Sequence, residues 1–196
     1  MKIIKTINLI LIALAVTSCS RNNDDQEIIM PVEKTSYNFI YDNSYKVNDI
    51  ALYKGPLGVK ETLQESIIQN YWSSYSEPPY SKIELNLKNK SLQFHLGKNL
   101  VNYQVELSND SIYISTDKVF VGILDKKNEK LELYKSFYYI IKELDDSSFF
   151  TKKTTELGIT KYKDIFGNNT FESPSAMTKK NDEVFWANLS FTYKSH

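Results

Sequence analysis

From residue 81 onward the chain alternates apolar and polar positions. Residues 81–88 place Ile83, Leu85 and Leu87 on one face, with Lys82, Glu84 and Asn86 on the other. The pattern returns with Leu92, Phe94 and Leu96, then with Val101, Tyr103, Val105 and Leu107, and then with Ile112 and Ile114. Residues 119–125 are apolar almost throughout, and residues 130–144 carry Leu131, Leu133, Phe137, Tyr139 and Ile141 at period two. A strand that is wet on one side and buried on the other produces this period.

Short polar breaks separate the runs: Asn89-Lys90, Gly97-Lys98-Asn99, Ser108-Asn109-Asp110, Asp117-Lys118 and residues 126–129. Connections this short make consecutive strands antiparallel neighbours. Six strands in a meander are therefore predicted over residues 81–144. Residues 36–42 (SYNFIYD) and 49–54 (DIALYK) read as earlier strands, and residues 183–194 alternate Phe185, Ala187, Leu189, Phe191 and Tyr193 as a late one.

Two short helices interrupt the strands. Thr62 and Glu65 have the spacing of a capping box, and Leu63, Ile67, Ile68, Tyr71 and Trp72 follow at helical intervals until Pro78-Pro79. Residues 159–167 place Ile159, Tyr162 and Phe166 on one side, with Gly167 as the C-terminal stop. The fold class is mostly β. A long meander has two exposed edges, which closure into a barrel removes. A small up-and-down barrel with one or two short helices is expected, an open curved sheet or a two-sheet sandwich being the alternatives. Eight or nine strands with a helix near the start resemble the lipocalin or calycin class in architecture. The Gly-x-Trp motif of lipocalins is missing, since Trp72 and Trp186 are the only tryptophans and neither follows a glycine at that spacing.

The front of the chain differs in kind. Lys2 and Lys5 precede an apolar run over residues 7–16, and Thr17-Ser18 lead into Cys19, the single cysteine. This is the layout of a secretory signal, too short to span a bilayer comfortably. Val16-Thr17-Ser18-Cys19 resembles the lipobox of bacterial lipoproteins. That resemblance implies a diacylglyceryl group on Cys19, cleavage after Ser18 and acylation, as with palmitate, of the new amino terminus. Each buried methylene contributes about 0.8 kcal/mol and one chain binds only marginally, so two or three chains on one residue make an anchor. A thiol consumed in this way is not available as a nucleophile.

The following SRNNDDQE, residues 20–27, has the composition of a flexible tether. Asp24-Asp25 resembles the short acidic signals that export some lipoproteins to the cell surface. Ser20 stands where an Asp resembles an inner-membrane retention signal, so the outer membrane is favoured. The expected organisation is a signal peptide at 1–18, the lipidated Cys19 and tether at 19–32, and one β-rich domain at 33–196.

Charge narrows the partners. The chain balances 24 basic against 24 acidic residues, and cleavage after Ser18 removes two lysines to leave a formal charge of −2. Neutral balance with interspersed signs gives no footprint for nucleic acid. Without a second cysteine no disulfide can help, so the core must come from aliphatic residues together with 14 Tyr, 10 Phe and 2 Trp.

Candidate chemistry is sparse. Of the two histidines, His196 is terminal and His95 lies between Phe94 and Leu96, pointing away from their face. No metal-ligand spacing, Gly-x-Ser-x-Gly elbow or phosphate-binding glycine loop occurs. No catalytic residue, metal ligand or cofactor is assigned. Glu143, Asp145 and Asp146 could supply the paired carboxylates of a glycosidase, but a polar loop after the longest strand is the preferred reading. Asp110-Ser111-Ile112 resembles a short bacterial O-glycosylation pattern and also reads as a hairpin turn. Residues 70–80 cluster Trp72, Tyr75 and Tyr80 with serines and prolines. These rings suit a ligand-binding surface for a sugar or an apolar molecule, or else they seal the end of a barrel.

Three functions remain in play. One is a lipid-anchored, non-enzymatic binding module for a small apolar ligand or glycan. Another is a structural lipoprotein that docks on an envelope protein, and the third is a hydrolase. A filled interior favours the second, and a large cavity the first.

Overall fold

The computed structural model describes residues 33–167 and 170–196. The signal segment, Cys19 and the tether lie outside the described residues. Ten strands form one antiparallel sheet: β1 Ser36–Lys54, β2 Val59–Glu61, β3 Lys82–Asn86, β4 Ser91–Leu96, β5 Asn99–Ser108, β6 Ser111–Ile114, β7 Phe120–Asp125, β8 Lys130–Glu143, β9 Phe149–Leu157 and β10 Glu183–Ser195. The order β10-β1-β3-β4-β5-β6-β7-β8 closes on itself because β8 also pairs with β10. Eight strands thus make a closed up-and-down barrel, as the meander predicts. β2 flanks β1, and β9 flanks the far half of β8.

The six predicted strands between residues 81 and 144 appear as β3 to β8. The two early runs prove to be a single strand, β1, which shifts register between Tyr41 and Ser44 and again between Val47 and Asp49. Such bulges bend a strand without ending it. This one strand serves two neighbours: residues 36–40 pair with β3, and residues 39–54 run along β10.

The inward set is the alternating apolar set. Phe39, Leu52, Ile83, Leu92, Phe94, Val105, Ile112, Leu131, Leu133, Phe185, Leu189, Phe191 and Tyr193 are all fully buried in one cluster. Burying a side chain of this size contributes about 1.5–3 kcal/mol. With no disulfide, this packed lumen is the main stabilising element.

β10 is buried on both faces. Its outer residues Val184 and Trp186, with Ala51, Tyr138 and Ile140, lie under the segment between β9 and β10, which supplies Ile165, Phe166, Phe171 and Met177. The predicted second helix is one turn, Tyr162–Ile165, capped by Asp164 accepting from the Lys161 amide and ended by Gly167. Its register differs from the expectation, because Ile159 and Tyr162 are exposed and Phe166 is buried.

A polar staple starts this segment. The Ser136 hydroxyl accepts from the Thr160 amide at 2.7 Å and lies 2.7 Å from both the Gly158 carbonyl and Asn188 Oδ1, while Asn188 Nδ2 donates to the Thr160 carbonyl at 3.0 Å. All of these groups are buried, where an unmade hydrogen bond is costly. Gly158 has φ of +96°, and a Cβ there would stand 2.4 Å from the Phe120 carbonyl. Only glycine fits that approach.

Candidate functional site

The opening of the barrel follows from how two strands change partners. Beyond residue 40 β1 leaves β3, and beyond residue 134 β8 exchanges β7 for β9. The wall splays there, and the connection over residues 62–80 crosses the gap. The predicted capping box does not form. The segment is a 3₁₀ turn, Glu65–Asn70, whose N-cap is Gln64 without a side-chain cap. Packing of Ile68 and Trp72 into the barrel determines this conformation more than local capping does.

Each ring of the crossing segment takes its own partner on the wall. Tyr71 stacks on Phe185 at 4.0 Å, and its hydroxyl donates to Glu183. Tyr75 meets Tyr45 edge-on at 5.8 Å, and Tyr80 stacks on Phe94 at 4.2 Å. The Tyr193 hydroxyl donates to the Tyr80 carbonyl at 3.1 Å. Of the predicted ligand-binding trio, Trp72 lines the smaller of the two clefts that flank this segment. Tyr75 and Tyr80 are partly buried against the core, and each of the three rings packs on a different wall residue.

Two clefts flank this segment. One of about 540 Å³ is lined by Lys54, Ile141, Phe149, Thr151, Asn181 and Glu183, among others. Ile141 and Phe149 give it an apolar wall, while Thr151 and Asn181 supply hydrogen-bonding groups. Its charged edge is ordered, since Glu183 accepts from Tyr71 and pairs with Lys54 at 3.4 Å. Burial and the Glu183 carboxylate push the Tyr71 phenol far above its ordinary range. It therefore stays a neutral donor.

The smaller cleft, about 230 Å³, lies where Trp72, Ser74 and Glu77 face Lys135, Phe137 and Thr155. Trp72 is edge-on to Phe137 at 5.3 Å, and the Lys153 ammonium sits 4.5 Å over the indole. Lys135 escapes the alternation reading, which passes from Leu133 to Phe137. The signal was present in the sequence as a single charged residue in an inward apolar register.

The other sequence candidates have ordinary surroundings. His95 points outward, 3.0 Å from Glu84 Oε1. Glu143 accepts from Asn181, Asp145 pairs with Lys179, and Asp146 occupies a left-handed turn. Asn109 and Asp110 form the β5–β6 turn, with Ser111 opening β6. Among the described residues no group of three or more His, Cys, Asp or Glu side chains converges to hold a metal.

No protein-family model matches the chain, and no curated protein or solved structure matches it either.

Proposed function

We propose that this chain is a lipid-anchored protein of the outer-membrane envelope that works as a non-enzymatic binding module. The anchor is Cys19, and the acidic pair Asp24-Asp25 fits presentation at the cell surface. The ligand is a small molecule with an apolar face and hydroxyl groups, such as a glycan, and it sits at the mouth and not within the lumen. One observation carries this reading. The mouth keeps a cleft of about 540 Å³ with an apolar wall and ordered polar groups, while the buried side chains of the lumen, which taken alone favour docking, direct the ligand to that mouth. That volume lies within the ordinary range for small-ligand sites.

A second reading has its own support. Phe149, Phe150 and Leu144 are exposed at 51%, 44% and 43% around the β8–β9 turn. Neighbouring exposed aromatics of this kind suit docking on another envelope protein. A hydrolase is not favoured, because Glu143 and Asp145 are each engaged in separate structural contacts.

The test is native mass spectrometry and thermal shift of the full-length chain in neutral detergent, across a panel of lipids and glycans. Binding that is lost in Phe149→Ala and Thr151→Ala supports the mouth cleft. No bound mass and no shift across the panel leave docking as the better reading.

A further inference from the structure

A lysine inside a barrel needs a reason. Lys135 shares the inward register of Leu131, Leu133 and Phe137 on β8. Its cross-strand neighbours are Leu189 on β10 and Leu157 on β9. No carboxylate among the described residues comes within ion-pair distance of its ammonium, whose nearby aromatic is Phe137 at 5.7 Å. An inward cation without a counter-ion costs folding free energy, and such costs are found where a site needs them.

The surroundings are shaped for an anion. The cleft is lined by two hydroxyl-bearing residues, Ser74 and Thr155, beside the packed pair of Trp72 and Phe137. Lys153 adds a second cation above Trp72, and Glu77 contributes one carboxylate to the lining. Within the lining Lys135 and Glu77 offset each other, and Lys153, over the Trp72 ring at the edge of the cleft, supplies the surplus positive charge. A monoanion matches that balance, whereas doubly charged phosphate would leave an excess negative charge beside Glu77. The volume, about 230 Å³, is below that of drug-sized sites, and the walls are partly aromatic.

We propose that the cleft between Trp72 and Lys135 binds a small organic carboxylate, with Lys135 as its ion-pair partner and the exposed edge of the Trp72–Phe137 pair as its apolar contact. This site is separate from the larger mouth cleft and stands whether or not that cleft binds a ligand. Burial alone holds the Lys135 ammonium below the ordinary lysine range, consistent with a charge that gains from an incoming anion.

The experiment uses the full-length chain in neutral-detergent micelles at low salt, with Trp186→Phe so that Trp72 is the only indole. Hexanoate, benzoate and glucuronate are titrated while Trp72 emission is followed. Glucose and inorganic phosphate serve as comparisons, and calorimetry on the unsubstituted chain repeats the reading. At least one carboxylate is expected to saturate and to bind at least about tenfold more weakly to Lys135→Met. Lys153→Met should weaken it less. Which of the three binds best distinguishes an acyl chain, an aromatic acid and an acidic sugar. The proposal is overturned by saturation with none of them, by unchanged affinity in Lys135→Met, or by phosphate binding more tightly than every carboxylate.

Discussion

Trp72 stands edge-on to Phe137, with ring centroids 5.3 Å apart and planes inclined at 64°. The contact joins the segment that crosses the mouth to the strand that closes the barrel, and it places an aromatic wall beside Lys135. Trp72→Ala is expected to lower stability by about 3–5 kcal/mol, as for other large aromatic truncations in cores. Chemical denaturation measures it. A loss of a few tenths would mean that the crossing segment is only loosely attached.

The staple on the outer face makes a second prediction. Asn188→Leu removes the acceptor and donor that serve Ser136 and Thr160, leaving buried groups unsatisfied. The expected cost is about 1–3 kcal/mol. Gly158→Ala should be at least as damaging, since its Cβ would meet the Phe120 carbonyl. If both variants unfold at the same denaturant concentration as the parent, the segment between β9 and β10 does not contribute to global stability.

Much of this architecture is legible in the residues. Period-two alternation with short polar breaks identifies β3 to β8 and β10, because each of those strands has one face buried in the lumen. The pattern fails in three places for three reasons. β1 carries two bulges, which break its alternation and make one strand look like two. β9 reads FFTKKTTEL, and its inward Thr151, Lys153 and Thr155 face an open mouth and not the core, so no apolar period marks it. The capping box at Thr62 is a correct local signal overridden by packing, since Ile68 and Trp72 must enter the barrel. At the site, the aromatic cluster over residues 70–80 is visible in the sequence, but the separate partners of its rings depend on the closed wall. Lys135 is visible too, as a fault in an otherwise apolar register.

Alkaline pH should destabilise the fold. A hydrogen bond to Tyr75 with burial raises the Tyr45 phenol, and burial first of all raises Tyr71 and Tyr193, each from an ordinary value of 10.0. Above pH 10.0 the unfolded chain releases these protons while the folded chain keeps them. The folded state then binds more protons, so stability falls as pH rises. Tyr71→Phe should reduce that slope. Urea titrations at neutral pH and above pH 10.0 check this, and an identical slope in the variant would contradict it.

Lys135→Met should raise stability, because methionine fills the inward position without a desolvated charge. The gain is expected to be under about 1 kcal/mol, since water still reaches the ammonium and screens it. The folded state disfavours protonation of Lys135, so the penalty is full at neutral pH and fades as pH approaches the ordinary value of 10.5. The variant's advantage should shrink in the same direction. A destabilised variant at neutral pH would mean that Lys135 makes a favourable contact in the folded chain.

Cys19→Ala should abolish lipidation. Labelled palmitate incorporation and membrane fractionation read it out. The variant is expected to carry no label and to leave the membrane fraction, and label retained on the variant would exclude the anchor at this residue.

Methyl NMR of the chain during ligand titration reports where a ligand sits. Ile141 lines the larger mouth cleft, whereas Leu92, Val105, Ile112 and Leu131 are fully buried in the lumen. A bound small molecule should shift the Ile141 methyl signals and leave the four lumen residues unchanged. Shifts at Leu92, Val105, Ile112 and Leu131 with none at Ile141 would place the ligand inside the barrel and contradict a filled lumen with its binding site at the mouth.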